Sequence, residues 1–271
     1  MSQLDREIRS RDRAEKSKPL KVVAISAVAI LAIVGGIWYA TTRTGDDDLV
    51  ASEETANQEA EAPAMEPLAM QRETPLAETV TCEYIEAGEP AGGGTPPERT
   101  TDVPTTGTLD VTLATNRGDI DLTLDRTTAP CTVNVIEHLA DTGYYNDTVC
   151  HRLTTSGIHV LQCGDPTGTG AGGPGFQFAN EYPTDEMDIT GNAVIYPRGS
   201  LAMGNAGQDT NGCQFFLKYD DSPLAPDYTY FGQISEEGLA VLDEIAADGV
   251  EDGAADGPPA EEVRIETATL G

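Results

Sequence analysis

Nineteen consecutive residues without a charge, VVAISAVAILAIVGGIWYA from Val22 to Ala40, set the strongest single limit on what this chain can become. As a helix rising about 1.5 Å per residue, they nearly span the ~30 Å hydrocarbon core of a bilayer. Trp38 and Tyr39 stand at the far end, where amphipathic rings favour the interface. Arg6, Arg9, Arg11, Arg13, Lys16, Lys18 and Lys21 precede the run, whereas Asp46, Asp47 and Asp48 follow Arg43 after it. That asymmetry predicts a single-pass transmembrane helix at residues 22–40. A basic cytoplasmic tail, residues 1–21, would precede it, and everything beyond would lie outside the cell membrane. A cleavable signal peptide is the competing reading. The run is long for a signal's apolar core and no small-x-small site follows promptly, so an uncleaved anchor is expected.

Past the anchor the chain turns acidic. Its 46 Asp and Glu outnumber 16 Lys and Arg, a formal charge of −30, and half of the basic residues lie at or before Arg43. Lys218 is the one lysine after Lys21. Such a surface repels phosphate and excludes nucleic acid as a partner. It suits a self-repelling soluble surface or adaptation to salt. Residues 41–106 are rich in Glu, Ala, Pro, Thr and Gly and lack the apolar content to fold alone, so they read as an acidic flexible linker. As a coil of about 60 residues it would reach on the order of 45 Å. Thr79 to Ile85 interrupts this texture and reads as a short strand docked on the folded domain.

From Gly107 to Gly271 the pattern is that of a folded domain. Leu109, Val111 and Leu113 alternate with polar residues, as do Ile120, Leu122 and Leu124, with Asn116-Arg117-Gly118 between them. This is a hairpin of half-buried strands. Thr132–Asp141 has helical spacing, with Thr132 as its cap and Gly143 as its stop; Glu236–Ala247 is a second helix stopped by Gly249. Further strands are expected near 150–154, 159–163, 200–204, 213–218, 229–234 and 262–268. Many short antiparallel strands with one early and one late helix predict a mainly β domain, closed into a barrel that the helices plug.

Two segments carry the chemistry. The first is Cys150-His151-Arg152, followed through Gly157 to Gln162-Cys163-Gly164-Asp165. The second is Gly199-Ser200-Leu201-Ala202-Met203-Gly204-Asn205-Ala206-Gly207, followed by Thr210-Asn211-Gly212-Cys213-Gln214-Phe215-Phe216. Together with Phe231-Gly232 ahead of a helix, they resemble the cyclophilin-type peptidyl-prolyl cis-trans isomerases over residues 108–270. The resemblance implies an eight-stranded antiparallel barrel capped by two helices. It implies that Arg152, Gln162 and Asn205 are the catalytic set, that Val160, Phe216 and Leu224 form a proline pocket, and that His151, His159, Gly204 and Tyr228 complete the substrate-binding surface. Taken alone, His151 reads as a packed histidine and not a base. Where the family has Phe this chain has His159, and Pro223 stands in the neighbourhood where many relatives carry Trp. Weak binding of cyclosporin-like inhibitors is therefore expected.

The residue types suit that activity. A prolyl amide resists rotation by about 20 kcal/mol because resonance holds it planar. When the bond twists, nitrogen regains a lone pair that a guanidinium can hydrogen-bond, an acceptor absent from the planar amide. Arginine stays charged and its fork can hold Gln162 as well. No cofactor or metal is needed, and His138, His151 and His159 lack metal-ligand spacing. The implied partners are proline-containing polypeptides and, through residues 22–40, the membrane. The alternative is a non-catalytic peptide-binding or scaffold module on the same fold. A hydrolase is disfavoured because no G-x-S-x-G is present. Gly168–Gly173 fits G-x-G-x-x-G, but Pro174-Gly175 follows where a helix would have to open, so it reads as a surface loop.

All five cysteines, Cys82, Cys131, Cys150, Cys163 and Cys213, follow the apolar run, where disulfides persist. Cys150 and Cys163 flank the stretch from Arg152 to Gln162 with their midpoint between Ser156 and Gly157. In a symmetric hairpin they would face each other with Cβ atoms about 4.5–5.5 Å apart, slightly wider than the ~3.8 Å of a disulfide. Cys82 and Cys131 are then the second candidate pair and Cys213 a buried free thiol. The alternative is five reduced cysteines.

Overall fold

The structure is a computed structural model and describes residues 65–187 and 193–271. The expected cytoplasmic tail (1–21) and transmembrane helix (22–40) lie outside the described residues. Among the described residues no helix is long and apolar enough to cross a membrane.

Strands β1 (Thr79–Val80), β2 (Ile85–Glu86) and β3 (Val103–Pro104) precede the hairpin β4 (Thr108–Thr115) and β5 (Gly118–Asp125). Helix α1 (Pro130–Asp141), β6 (Thr148–Val149), β7 (Arg152–Ser156), β8 (Ile158–Cys163) and β9 (Phe176–Gln177) follow. Then come β10 (Val194–Tyr196), β11 (Ser200–Met203), β12 (Phe215–Lys218), β13 (Ser222–Leu224) and β14 (Tyr230–Ile234). Helix α2 (Glu236–Asp248), β15 (Asp256–Gly257) and β16 (Arg264–Leu270) end the chain.

The main sheet runs β15-β7-β8-β12-β11-β14-β5-β4-β16-β6. The expected eight-stranded closed barrel is corrected to a curled ten-strand half-barrel. Eight of its strands have four residues or more, and the two-residue strips β6 and β15 extend its two ends. Strips so short leave no period-2 pattern to read. Alternation explains the rest. In the β4–β5 hairpin, Leu109 pairs with Leu124, Val111 with Leu122 and Leu113 with Ile120. Leu153, Leu161, Leu217 and Leu201 form a cross-strand row in register on the core face, each fully buried. Burying one such side chain contributes roughly 1.5–3 kcal/mol.

Both helices cover the core, and their caps differ from each other. Helix α2 ends as expected at Gly249, whose φ is +81°, and the structure adds an N-cap, Ser235 Oγ accepting from the Gly238 N–H at 3.0 Å. Helix α1 starts two residues earlier than expected, because Pro130 fits the first turn, where its missing N–H costs nothing. Thr132 is not its cap. The carboxylate of Glu181, 49 and 50 residues downstream, accepts the N–H groups of Cys131 and Thr132 at 2.9 and 2.8 Å and the Thr132 hydroxyl at 2.7 Å.

Residues 65–106 differ from the flexible linker that composition suggested. They form a strap laid along the domain. Pro67 bridges Ile195, and Leu68 is buried among Tyr182, Val194, Tyr196, Ala202 and Tyr230. Arg72 donates to the Thr128 carbonyl at 3.0 Å and to Asp185 at 2.6 Å. Strand β1 pairs with β3 and β2 with β9, and Cys82 is bonded to Cys131 at the start of α1. The strap has few apolar residues, but Leu68, Cys82 and Val103 are each inserted into a core that the domain already supplies. Composition measures whether a segment can fold alone, which this one does not need to do.

Candidate active site

Hairpin β7–β8 turns on the single residue Gly157, whose φ of +78° favours glycine. Its register sets Arg152 opposite Gln162. On the other side of β8, Gln162 is opposite Phe216 of β12, Phe216 opposite Ala202 of β11, and Ala202 opposite Tyr230 of β14. These residues form a row across five strands, on the face that alternates with the leucine row. The ladder alone thus brings Arg152, Gln162 and Phe216 side by side.

The row is held together by hydrogen bonds. Arg152 Nη1 donates to Gln162 Oε1 at 3.3 Å, Gln162 Nε2 donates to Gln214 Oε1 at 2.8 Å, and Gln214 Nε2 donates to the carbonyls of Gly170 and Gly172, both at 3.0 Å. On the opposite side of the guanidinium, Nε and Nη2 donate to Asp256 Oδ1 and Oδ2 at 2.7 and 2.8 Å. Asp256 raises the Arg152 pKa further above its ordinary value, and the guanidinium in turn lowers the carboxyl. Gly204 leaves room beside the Gln162–Gln214 pair, since a Cβ there would lie 3.5–3.6 Å from both glutamines.

The apolar side of the site is built from Val160, Phe216, Leu224 and Tyr228. Val160 is fully buried, and Phe216 lies 5.7 Å, centroid to centroid, from Tyr228. Tyr228 and Leu224 pack in turn on the cluster that contains Leu68 of the strap. Asn205 sits at the rim with its side-chain amide engaged at both ends: Nδ2 donates to the Asp227 carbonyl at 2.8 Å and Oδ1 accepts from the Gly207 N–H at 3.1 Å. A cavity of about 450 Å³ opens next to it, lined by Gln162, Gly204, Asn205 and Gln214 and, from the strap, Gly88 and Glu89.

Two expected substrate-binding residues, His151 and His159, are hydrogen-bonded to none of these groups. The edge of His151 packs over Gly170, and neither ring nitrogen has a hydrogen-bond partner. Burial lowers its pKa against the opposing pull of Asp165, so the ring is a neutral packing group. His159 alternates with Val160 and Gln162 on β8, faces Tyr219 edge-on at 5.7 Å, and has Nδ1 3.3 Å from the Asp221 carbonyl. Both disulfides are present, Cys82–Cys131 and Cys150–Cys163, and Cys213 is a buried free thiol. The turn is centred on Gly157 and not between Ser156 and Gly157, so the residue equidistant with Cys163 is His151, and Cys150 reaches its partner from just before the strand.

Three residues around the site were given no role from the sequence. Gln214 stands two before Phe216 within the quoted motif and was legible from that spacing. Asp256 is one acidic residue among many. Lys218 lies two residues beyond Phe216 on the same face, fully buried, its Nζ without a hydrogen-bond partner and 4.7 and 5.6 Å from the ring centroids of Tyr196 and Phe216. Burial pulls that ammonium down to about 7.

A curled antiparallel sheet with two helices and an arginine–glutamine pair beside an aromatic pocket defines a cyclophilin-like fold. It superposes on a crystal structure of a cyclophilin type peptidyl-prolyl cis-trans isomerase from Cryptosporidium parvum with a TM-score of 0.51 and 30% identity, covering 61% of this chain and 98% of that one. A second structure of that isomerase, in the presence of the dipeptide Ala-Pro, gives a TM-score of 0.50 at 31% identity, over 60% of this chain and 98% of that one. The sequence profile described as "Cyclophilin type peptidyl-prolyl cis-trans isomerase/CLD" matches residues 110–270. The chain belongs to the cyclophilin-type peptidyl-prolyl cis-trans isomerase family. It is 50% identical over 197 residues to a Mycobacterium leprae protein named "Probable peptidyl-prolyl cis-trans isomerase B", covering 70% of this chain and 67% of that one. The Mycobacterium tuberculosis protein of the same name is 50% identical over 195 residues, covering 70% and 63%. The chain thus spans about two thirds of the length of these relatives. A Helicobacter pylori peptidyl-prolyl cis-trans isomerase is 42% identical over 136 residues, covering 49% of this chain and 78% of that one.

Proposed function

We propose that the domain from Gly107 onward catalyses cis-trans isomerisation of Xaa-Pro bonds in exported polypeptides, with Arg152 as the group that stabilises the twisted amide. The observation that carries this reading is the register placing Arg152, Gln162 and Phe216 in one row. A proline ring seated on Phe216, against Val160, Leu224 and Tyr228, brings its nitrogen towards the guanidinium. A guanidinium has five N–H groups. Asp256 takes two and Gln162 one, so two remain for the substrate. Because the Asn205 amide is engaged by Asp227 and Gly207, Asn205 meets the peptide through its main chain. The site needs no nucleophile, since no covalent bond is made or broken.

The same reading places the domain outside the cell membrane, held by residues 22–40 with residues 1–21 inside. Protease added to intact cells then removes the domain and leaves the N-terminal tail; a protected domain would refute that orientation. The test of activity is a protease-coupled proline assay. Arg152→Ala should lower kcat/KM by orders of magnitude in a folded protein, and Arg152→Lys should also be poor, because a point charge cannot hold Gln162 and the prolyl nitrogen together. Wild-type turnover in Arg152→Ala would sink the mechanism.

A further inference from the structure

We propose that Asp256 is a positioning residue for isomerisation, holding the guanidinium of Arg152 in the orientation that leaves its remaining N–H groups facing the substrate. This rests on the role given to Arg152 above. Asp256 lies on β15, which pairs with β7 in a register that sets Asp256 opposite Thr154. Thr154 and Arg152 are two apart on β7 and share a face, so Asp256 is the diagonal cross-strand neighbour of Arg152. The main chain fixes the strip independently of this side chain. The Thr155 N–H donates to the Ala255 carbonyl at 2.9 Å, and the Glu251 N–H to the Pro258 carbonyl at 2.9 Å. The Ala260 N–H donates to the Gly249 carbonyl, also at 2.9 Å. The carboxylate is thus presented by an anchored backbone.

Its contact is a two-point fork, with both carboxylate oxygens engaged by Nε and Nη2. One hydrogen bond would let the guanidinium plane swing about that contact; two fix the plane. Gln162 alone, at 3.3 Å to Nη1, leaves the long side chain free to rotate. An exposed ion pair contributes little to stability, at most about 1 kcal/mol. Here that energy acts on the arginine's choice of rotamer, so its loss appears in turnover and not in folding.

The test uses the full chain in membranes or detergent. Peptide affinity and on-enzyme exchange are measured by NMR, and kcat/KM by the coupled assay, for wild type, Asp256→Ala, Asp256→Asn and Asp256→Glu, with Arg152→Ala as reference. Asp256→Ala should lower the exchange rate about fivefold, the factor corresponding to about 1 kcal/mol. Peptide affinity should stay within twofold and the melting temperature should not change. The Arg152 Nε–H resonance should broaden or exchange faster. Asp256→Asn should lie between, since one acceptor oxygen persists, and Asp256→Glu should recover part of the loss. Unchanged or faster exchange in Asp256→Ala overturns the proposal, as does a loss carried entirely by weaker peptide binding. If Arg152→Ala is itself fully active, the reading of the site fails first, and the two failures are told apart by that control.

Discussion

Replacing both Cys150 and Cys163 by alanine should weaken the fold far more than the chemistry. The bond closes a loop with a sequence separation of 13, and the chain-entropy relation for about 14 residues gives roughly 3 kcal/mol of stabilisation at 25 °C. The sulfurs belong to nearly or fully buried side chains, at 3% and 0% exposure, so small packing losses add to that figure. The proposed active-site row, however, is maintained by the five-pair ladder of β7 with β8 and by the hydrogen bonds that run from Arg152 through Gln162 to Gln214, none of which uses the disulfide. Denaturant unfolding should therefore show a loss of about 3 kcal/mol in the double variant, with kcat/KM at 10–15 °C, where the domain stays folded, within about threefold of wild type. A loss below about 1 kcal/mol would show that the unfolded chain is not restrained as the loop argument requires. A collapse of activity in the folded variant would show that the ladder alone does not align Arg152 with Gln162.

Lys218→Met should stabilise the domain at neutral pH. Burial lowers the native ammonium to about 7 while the unfolded lysine keeps its ordinary 10.5, so the unfolded state binds more protons between those values and wild-type stability rises with pH through that window. The advantage of the methionine variant, up to about 4 kcal/mol near pH 7, should shrink towards pH 10; an advantage independent of pH would remove the explanation. The Tyr196 and Phe216 rings offset part of the cost by attracting the charged form, which makes that figure an upper value. Leu68→Ala should cost about 2–3 kcal/mol, read by denaturant unfolding, because the side chain is 4% exposed in a cluster shared with Tyr182 and Tyr230. A change below 0.5 kcal/mol would mean that the strap undocks freely.

What the sequence disclosed and what it hid have physical explanations. The β4–β5 hairpin was legible because eight paired positions repeat one period-2 pattern. Helix α2 was legible because Leu239, Leu242 and Ile245 recur at helical spacing and Gly249 stops it. Arg152 and Gln162 were legible through a motif whose spacing reflects their pairing across Gly157. The cap of α1 was hidden because Glu181 comes from a loop about 50 residues away. Apart from Thr79–Ile85, which was expected to dock, the docking of residues 65–106 was hidden because it relies on single buried side chains. Asp256 was hidden because only the β15–β7 register distinguishes it from the other acidic residues of its loop. The resemblance puts His159 on the substrate surface, whereas strand alternation turns it towards Tyr219.

The two ends of the main sheet matter for a protein that handles extended chains. A long unpaired strand edge would offer its own N–H and C=O groups to any client and hold it as an added strand, without regard to proline. Here both ends are two-residue strips, Thr148–Val149 and Asp256–Gly257, and the second is followed at once by Pro258 and Pro259, which have no N–H to offer. Backbone capture at either edge therefore ends after a step or two. With the site as proposed, a passing polypeptide is left with the cleft beside Phe216 as its extended foothold, which favours brief, repeated encounters over retention.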